Sequence, residues 1–157
     1  MNSMYLKSSC LAALVLFSVG GVNAQKKPAP PAAAKATARV VSSPTCGCCS
    51  IWVKHLESAG FSVERELRAD LEAAPVRKRV PTQLKSCHTA QVGKYLVEGH
   101  VPADLVQRLL KEQPAGVVGI AVPGMPIGSP GMEGPNPRPY SVIAFKADGT
   151  TYEFARR

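Results

Sequence analysis

Residues 39–63, RVVSSPTCGCCSIWVKHLESAGFSV, decide the fold. Val40 and Val41 followed by Ser42-Ser43-Pro44 read as a short buried strand, Arg39 to Ser43, stopped by turn residues. From Cys48 to Ala59 the apolar residues Trp52, Val53, Leu56 and Ala59 recur at helical spacing, and Gly60 stands where a helix C-terminus favours glycine. Phe61-Ser62-Val63 then alternates as a second strand. The cysteines therefore sit in the turn between a strand and the start of a helix.

Downstream, Asp70 is placed to cap a helical stretch running through Arg79, with Pro75 restarting or kinking it. Thr89 to Val92 and Tyr95 to Glu98 flank Gly93-Lys94, and glycine at the first of two loop positions suits a type II′ hairpin. Pro102 opens an amphipathic helix carrying Leu105, Leu109 and Leu110 on one face. The order strand, helix, strand, helix, hairpin, helix is the thioredoxin-like α/β layout, a sheet with flanking helices and a cysteine turn at the first helix N-terminus. The remainder extends it. Val117 to Val122 reads as another strand, Pro123 to Pro139 as a Pro/Gly-rich loop, and Ser141 to Phe145 with Thr151 to Phe154 as a final hairpin about Asp148-Gly149. There is no internal repeat.

Upstream, Lys7, the apolar run Leu11 to Val19 and the small-residue stretch Val22-Asn23-Ala24 have the form of a secretory signal peptide over residues 1–24. The run is too short to cross a bilayer, which takes roughly 17 to 25 apolar residues, so no membrane association is expected after cleavage. Cys10 leaves with the signal. Residues 25–38, rich in Lys, Pro and Ala, read as a flexible tether, and residues 39–157 as a single domain. The mature chain of about 133 residues can bury one modest core. Its net charge falls from +8 to about +7, with basic residues scattered among acidic ones. Nucleic acid as a partner is excluded by the lack of a basic stripe or a stacking platform. An exported protein with cysteines works in an oxidising compartment.

Cys46-Gly47-Cys48-Cys49 contains a CxxC, formed by Cys46 and Cys49, with a third thiol inside it. A helix N-terminus stabilises anions, so at least one of these thiols is expected to have a lowered pKa and to be available as thiolate. Soft thiolates favour Cu(I), with zinc and iron–sulfur as competitors. Structural zinc usually draws ligands from well-separated pairs, and adjacent Cys48 and Cys49 crowd a single tetrahedral ion. Several bridged Cu(I) ions and one ion both remain open. So does a plain disulfide framework, which four cysteines can build in three pairings.

If Gly93-Lys94 is a two-residue turn, Val92 faces Tyr95 and, counting outward, Cys87 faces His100. Opposed residues in an antiparallel pair have Cβ atoms about 4.5 to 5.5 Å apart. Cys87 would then complete a four-thiol site, with His100 on its rim. Neighbouring Cys87 and His88 point to opposite faces of a regular strand, so both ligate only if the strand begins after them. His55, roughly 10 Å along the helix from Cys48, reads as a core-edge histidine. Met125 and Met132 lie where a flexible loop could fold thioethers over a metal, or could simply cover apolar surface. Trp52 is a core residue.

Together, TCGCCSIWVKHLESAGF, SCHTAQVGKYLVEGHVPADLVQRLL and GIAVPGMPIGSPGME resemble the CopG family of periplasmic copper-resistance proteins, formerly filed as a domain of unknown function. The resemblance runs from about Val40 to Met132. It implies a thioredoxin-like fold and copper held by Cys46, Cys48 and Cys49, with Cys87 completing the thiol set. It further implies a role in copper resistance, with Cu(I)/Cu(II) cycling as a proposed activity. The expected function is a periplasmic Cu(I)-binding protein acting among other copper-handling proteins. Its rival is a thiol–disulfide oxidoreductase with Cys46 as nucleophile and Cys49 as resolving thiol.

Overall fold

The computed structural model describes residues 35–157. The expected signal peptide and residues 25–34 of the expected tether lie outside the described residues. Nine regular elements follow: β1 (Thr37–Ser42), α1 (Gly47–Ser58), β2 (Ser62–Leu67), β3 (His88–Val92), β4 (Tyr95–Glu98), α2 (Ala103–Glu112), β5 (Val117–Ala121), β6 (Ser141–Lys146) and β7 (Thr151–Arg156). β1 begins at Thr37, two residues before the domain start expected at Arg39.

The strands form one mixed sheet in the order β2-β1-β3-β4-β5-β6-β7. β1 and β2 are parallel, joined across α1, and β3 runs antiparallel to both β1 and β4. β4 and β5 are parallel, joined across α2, and β6 and β7 add an antiparallel pair beyond them. The first four strands with their two helices are the thioredoxin-like unit; β5 to β7 are the extension. Among the described residues, no helix is long and apolar enough to cross a membrane.

Both helices serve one core. Trp52 and Leu56 of α1 and Leu105, Val106 and Leu109 of α2 pack with Val40, Ala90, Val97, Ile120 and Val142 from the sheet. Gly60, at φ 94°, ends α1, and the Phe61 N–H reaches back to the Leu56 carbonyl at 3.1 Å. The hairpin turn has Gly93 at φ 57°, as a type II′ turn requires, and keeps Val92 opposite Tyr95.

The other face of the sheet corrects the sequence reading. The helix expected from Asp70 to Arg79 does not form; the segment holds only short 3-10 turns at Arg77–Arg79 and Thr82–Leu84. Pro75 has no N–H to give and disfavours helical backbone at Ala74, so a continuous α-helix cannot run through. Asp70 does accept the Ala73 N–H at 3.2 Å, a cap on a turn that goes no further. Val80 and Leu84 from this irregular stretch cover Leu96, Ala121 and Phe145.

Candidate metal centre

Cys46 is the N-cap of α1, and its sulfur accepts the Cys49 N–H at 3.3 Å. Cys48 and Cys49 occupy the first turn, where unpaired amides converge. Cys46 and Cys49 are joined as a disulfide; Cys48 and Cys87 are free. Cys48 Sγ lies 3.5 Å from Cys46 Sγ, and Cys49 Sγ 3.6 Å from the Cys87 carbonyl oxygen. The four sulfurs all lie within 4.8 Å of one another.

The hairpin delivers the fourth thiol. Its ladder runs past Glu98, with the Gly99 N–H on the His88 carbonyl at 3.0 Å, and this brings His100 opposite Cys87 as the register expects. His100 Nε2 is 3.0 Å from Cys87 Sγ and its Nδ1 is 2.8 Å from the Pro130 carbonyl. A carbonyl only accepts, so Nδ1 carries the proton and the neutral ring accepts the thiol hydrogen at Nε2.

His88 also reaches Cys87, with Nδ1 3.2 Å from the sulfur. Strand alternation argues against this only when both residues lie within a strand, and β3 begins at His88 itself. Cys87 is in the preceding loop and free of the alternation. Cys87, His88 and His100 therefore form a second cluster of possible ligands sharing one thiol with the first. The His88 ring lies fully buried 4.3 Å from Trp52, and its Nε2 has no hydrogen-bond partner among the described residues. Burial, followed by the neighbouring His100, lowers its pKa to about 3.

Cys87 lies outside the helix start, and its surroundings oppose ionisation. Burial first, and then Cys48 beside it, push that thiol up to about 12. Cys46 and Cys49, as a disulfide, have no proton to lose.

The Pro/Gly-rich loop folds back over the helix start. Gly131, at φ 86°, is so close that an added Cβ would stand 2.8 Å from the Cys48 carbonyl and 3.2 Å from His100 Nδ1. Met132 is the next residue and half-buried, whereas Met125 is exposed. Glu133 Oε1 accepts the Gly131 N–H at 2.7 Å. On another side Arg65 donates to Ser42 Oγ at 3.0 Å and Ser50 Oγ at 2.8 Å, tying β2 to the first turn of α1. His55 stands apart and accepts the Ala103 N–H at 3.0 Å, so it serves the start of α2. Trp52 donates to the Val101 carbonyl at 2.8 Å from within the core.

A family model described as "Protein of unknown function, DUF411" matches residues 84–132. Two solved structures, titled "Copper resistance protein copG- Form 2" and "Copper resistance protein copG- Form 1", are 40% and 41% identical to this chain. They cover 78% and 77% of it and 98% and 96% of their own length, with TM-scores of 0.72 and 0.71. This chain belongs to the CopG family. No curated protein matches it. The CopG fold thus bears out the α/β layout and the motif resemblance together, and this chain carries its cysteine cluster at the start of α1.

Proposed function

We infer that the protein is a periplasmic copper-resistance protein that binds Cu(I) on Cys46, Cys48, Cys49 and Cys87 once the Cys46–Cys49 disulfide is reduced. The observation that carries this is the convergence of four sulfurs within 4.8 Å of one another, from the start of α1 and the loop before β3. Thiolates are the soft donors that select Cu(I) over harder ions. The names of the two similar structures support copper as the cargo. Crowding at Cys48 and Cys49 favours several thiolate-bridged ions over one. His100 is a further candidate ligand, as are Met125 and Met132. A signal peptide over 1–24, a tether over 25–36 and a metal-binding domain that starts with β1 at Thr37 complete the proposal, with other periplasmic copper-handling proteins as partners.

Reduction of the disulfide takes two electrons and two protons, so the redox state of the protein sets how many thiols can ligate. Cycling of copper extends this reading: oxidation of the Cys46–Cys49 dithiol to the disulfide releases two protons and two electrons, which reduce two Cu(II) ions to Cu(I).

The test is an anaerobic Cu(I) titration of the reduced mature protein beside Cys48→Ser. Saturation above one copper per chain, reduced in the variant, together with thiolate-to-copper absorption, is the expected result for a bridged site. Binding no stronger than that of a variant lacking all four thiols removes the reading.

One observation favours a second reading. The Cys46–Cys49 disulfide spans a CxxC at a helix N-terminus, with Cys46 half-buried and Cys49 buried, the arrangement of an attacking and a resolving thiol. In this thiol–disulfide oxidoreductase the dithiol passes two electrons to a substrate disulfide and is reduced again by an external thiol. Turnover of a model disulfide with copper chelated, undiminished in Cys48→Ser, would favour it.

A further inference from the structure

Cys87 lies at the end of an irregular segment, one residue before β3; the hairpin ladder ends with the Gly99 N–H on the His88 carbonyl and places no backbone hydrogen bond on Cys87 itself. A buried ion pair stands in for the ladder. Arg77 and Glu98 have side chains 6% and 0% exposed and meet at 2.9 Å through Arg77 Nη1. Glu98 Oε1 also accepts the Ser86 N–H at 2.6 Å, and Thr89 Oγ1 donates to Oε2 at 2.5 Å. Arg77 Nη2 donates to the Ser86 carbonyl at 2.6 Å, while its Nε pairs with Glu72. Both backbone polar groups of the residue before Cys87 thus end on one buried pair. Gly99 closes the other side; an added Cβ there would stand 2.8 Å from Ser86 Cβ and Oγ.

Ion pairs in a protein interior are poor stabilisers, because desolvation offsets their attraction and apolar replacements often do as well. Planar guanidinium geometry, however, suits a clamp, since it holds a carboxylate and a carbonyl at once. We propose that Arg77 and Glu98 are positioning residues for the thiol site, clamping the Ser86 peptide so that Cys87 is presented to Cys46, Cys48 and Cys49. The copper part of this rests on the Cu(I) reading above, and the clamp itself does not.

The test combines Arg77→Met with Glu98→Leu, which removes both charges and leaves neither unpaired. In the metal-free, Cys46–Cys49-oxidised protein, iodoacetamide modification of Cys87 and Cys48 is followed by mass spectrometry, with the near-ultraviolet signal of Trp52 reporting the fold. Loss of the two Ser86 hydrogen bonds should accelerate Cys87 alkylation about tenfold or more and leave Cys48 unchanged. Cu(I) affinity of the reduced protein should fall by a similar factor, and the same double replacement in a Cys87→Ser background should cost nothing further. Glu98→Gln, which keeps an acceptor for the Ser86 N–H, should restore both quantities to within about threefold of the parent. A folded double variant with parental Cys87 alkylation overturns the clamp. Should that variant lose the Trp52 signal, Arg77→Lys decides, because an ammonium lacks the fork that spans Glu98 and Ser86; parental alkylation there overturns it equally. Faster Cys87 alkylation in a protein whose parent binds no Cu(I) would keep the clamp and remove the copper reading.

Discussion

His88 shows how far surroundings can move one side chain. Its ring is sealed between Trp52 and His100, and a charge on it would have no water and no counter-ion. With the folded pKa lowered to about 3, the unfolded chain binds the extra proton wherever the pH is below its ordinary value of 6.5. Stability therefore rises with pH through this window: the contribution is complete above 6.5 and is lost as pH falls toward 3. Denaturant unfolding of the metal-free protein at a series of pH values should show that acid slope, and His88→Phe should flatten it. An unchanged slope in the variant would assign it to other groups. Cys87 has the opposite problem. A thiol pushed up to about 12 is protonated at neutral pH, so a metal ion must displace its proton, and loading should release acid.

The start of α1 is built by three elements, and each is needed. The helix start contributes the amides and three cysteines, the segments just outside the open end of the β3–β4 hairpin contribute Cys87 and His100, and the Pro/Gly-rich loop covers both. Gly131 is where the covering loop comes closest, with positive φ and no room for a Cβ. Gly131→Ala should lift the loop off Cys48 and His100, at a stability cost of about 1 kcal/mol or more from the left-handed backbone. The expected readings are faster alkylation of Cys48 and weaker Cu(I) retention against a chelator; unchanged alkylation would mean the loop does not shield the thiol.

Across the molecule, the C-terminal hairpin belongs to the same fold as the cysteine unit. Val142 and Ala144 enter the core shared with both helices, while Phe145 sits on the opposite face with Leu96 and Ala121. All three hairpin residues are fully buried. A chain ending at Pro139 would leave β5 as an uncovered edge with apolar surface on both faces. It should show no cooperative unfolding transition in urea, whereas the full chain should. A sharp transition in the truncated chain would make the extension an accessory.

Much of this was legible in local pattern. The short strand, the cysteine turn, the amphipathic helices and the glycine hairpins are written in apolar spacing and turn residues, because those signals act over a few neighbouring residues. Even the meeting of Cys87 with His100 could be counted from the Gly93-Lys94 turn, since register propagates from a tight hairpin. Three features could not be read that way. The segment after Asp70 carried helix signals but gave way at Pro75, and Arg77 went inward to Glu98, a partner known only once β4 was in place. His88 looked turned away from the site until β3 was seen to begin at that residue. Gly131 gave no sign of meeting Cys48. Each depends on which distant backbone lies alongside. Sequence spacing determined which elements form, and only packing decided which side chains, far apart along the chain, share one buried place.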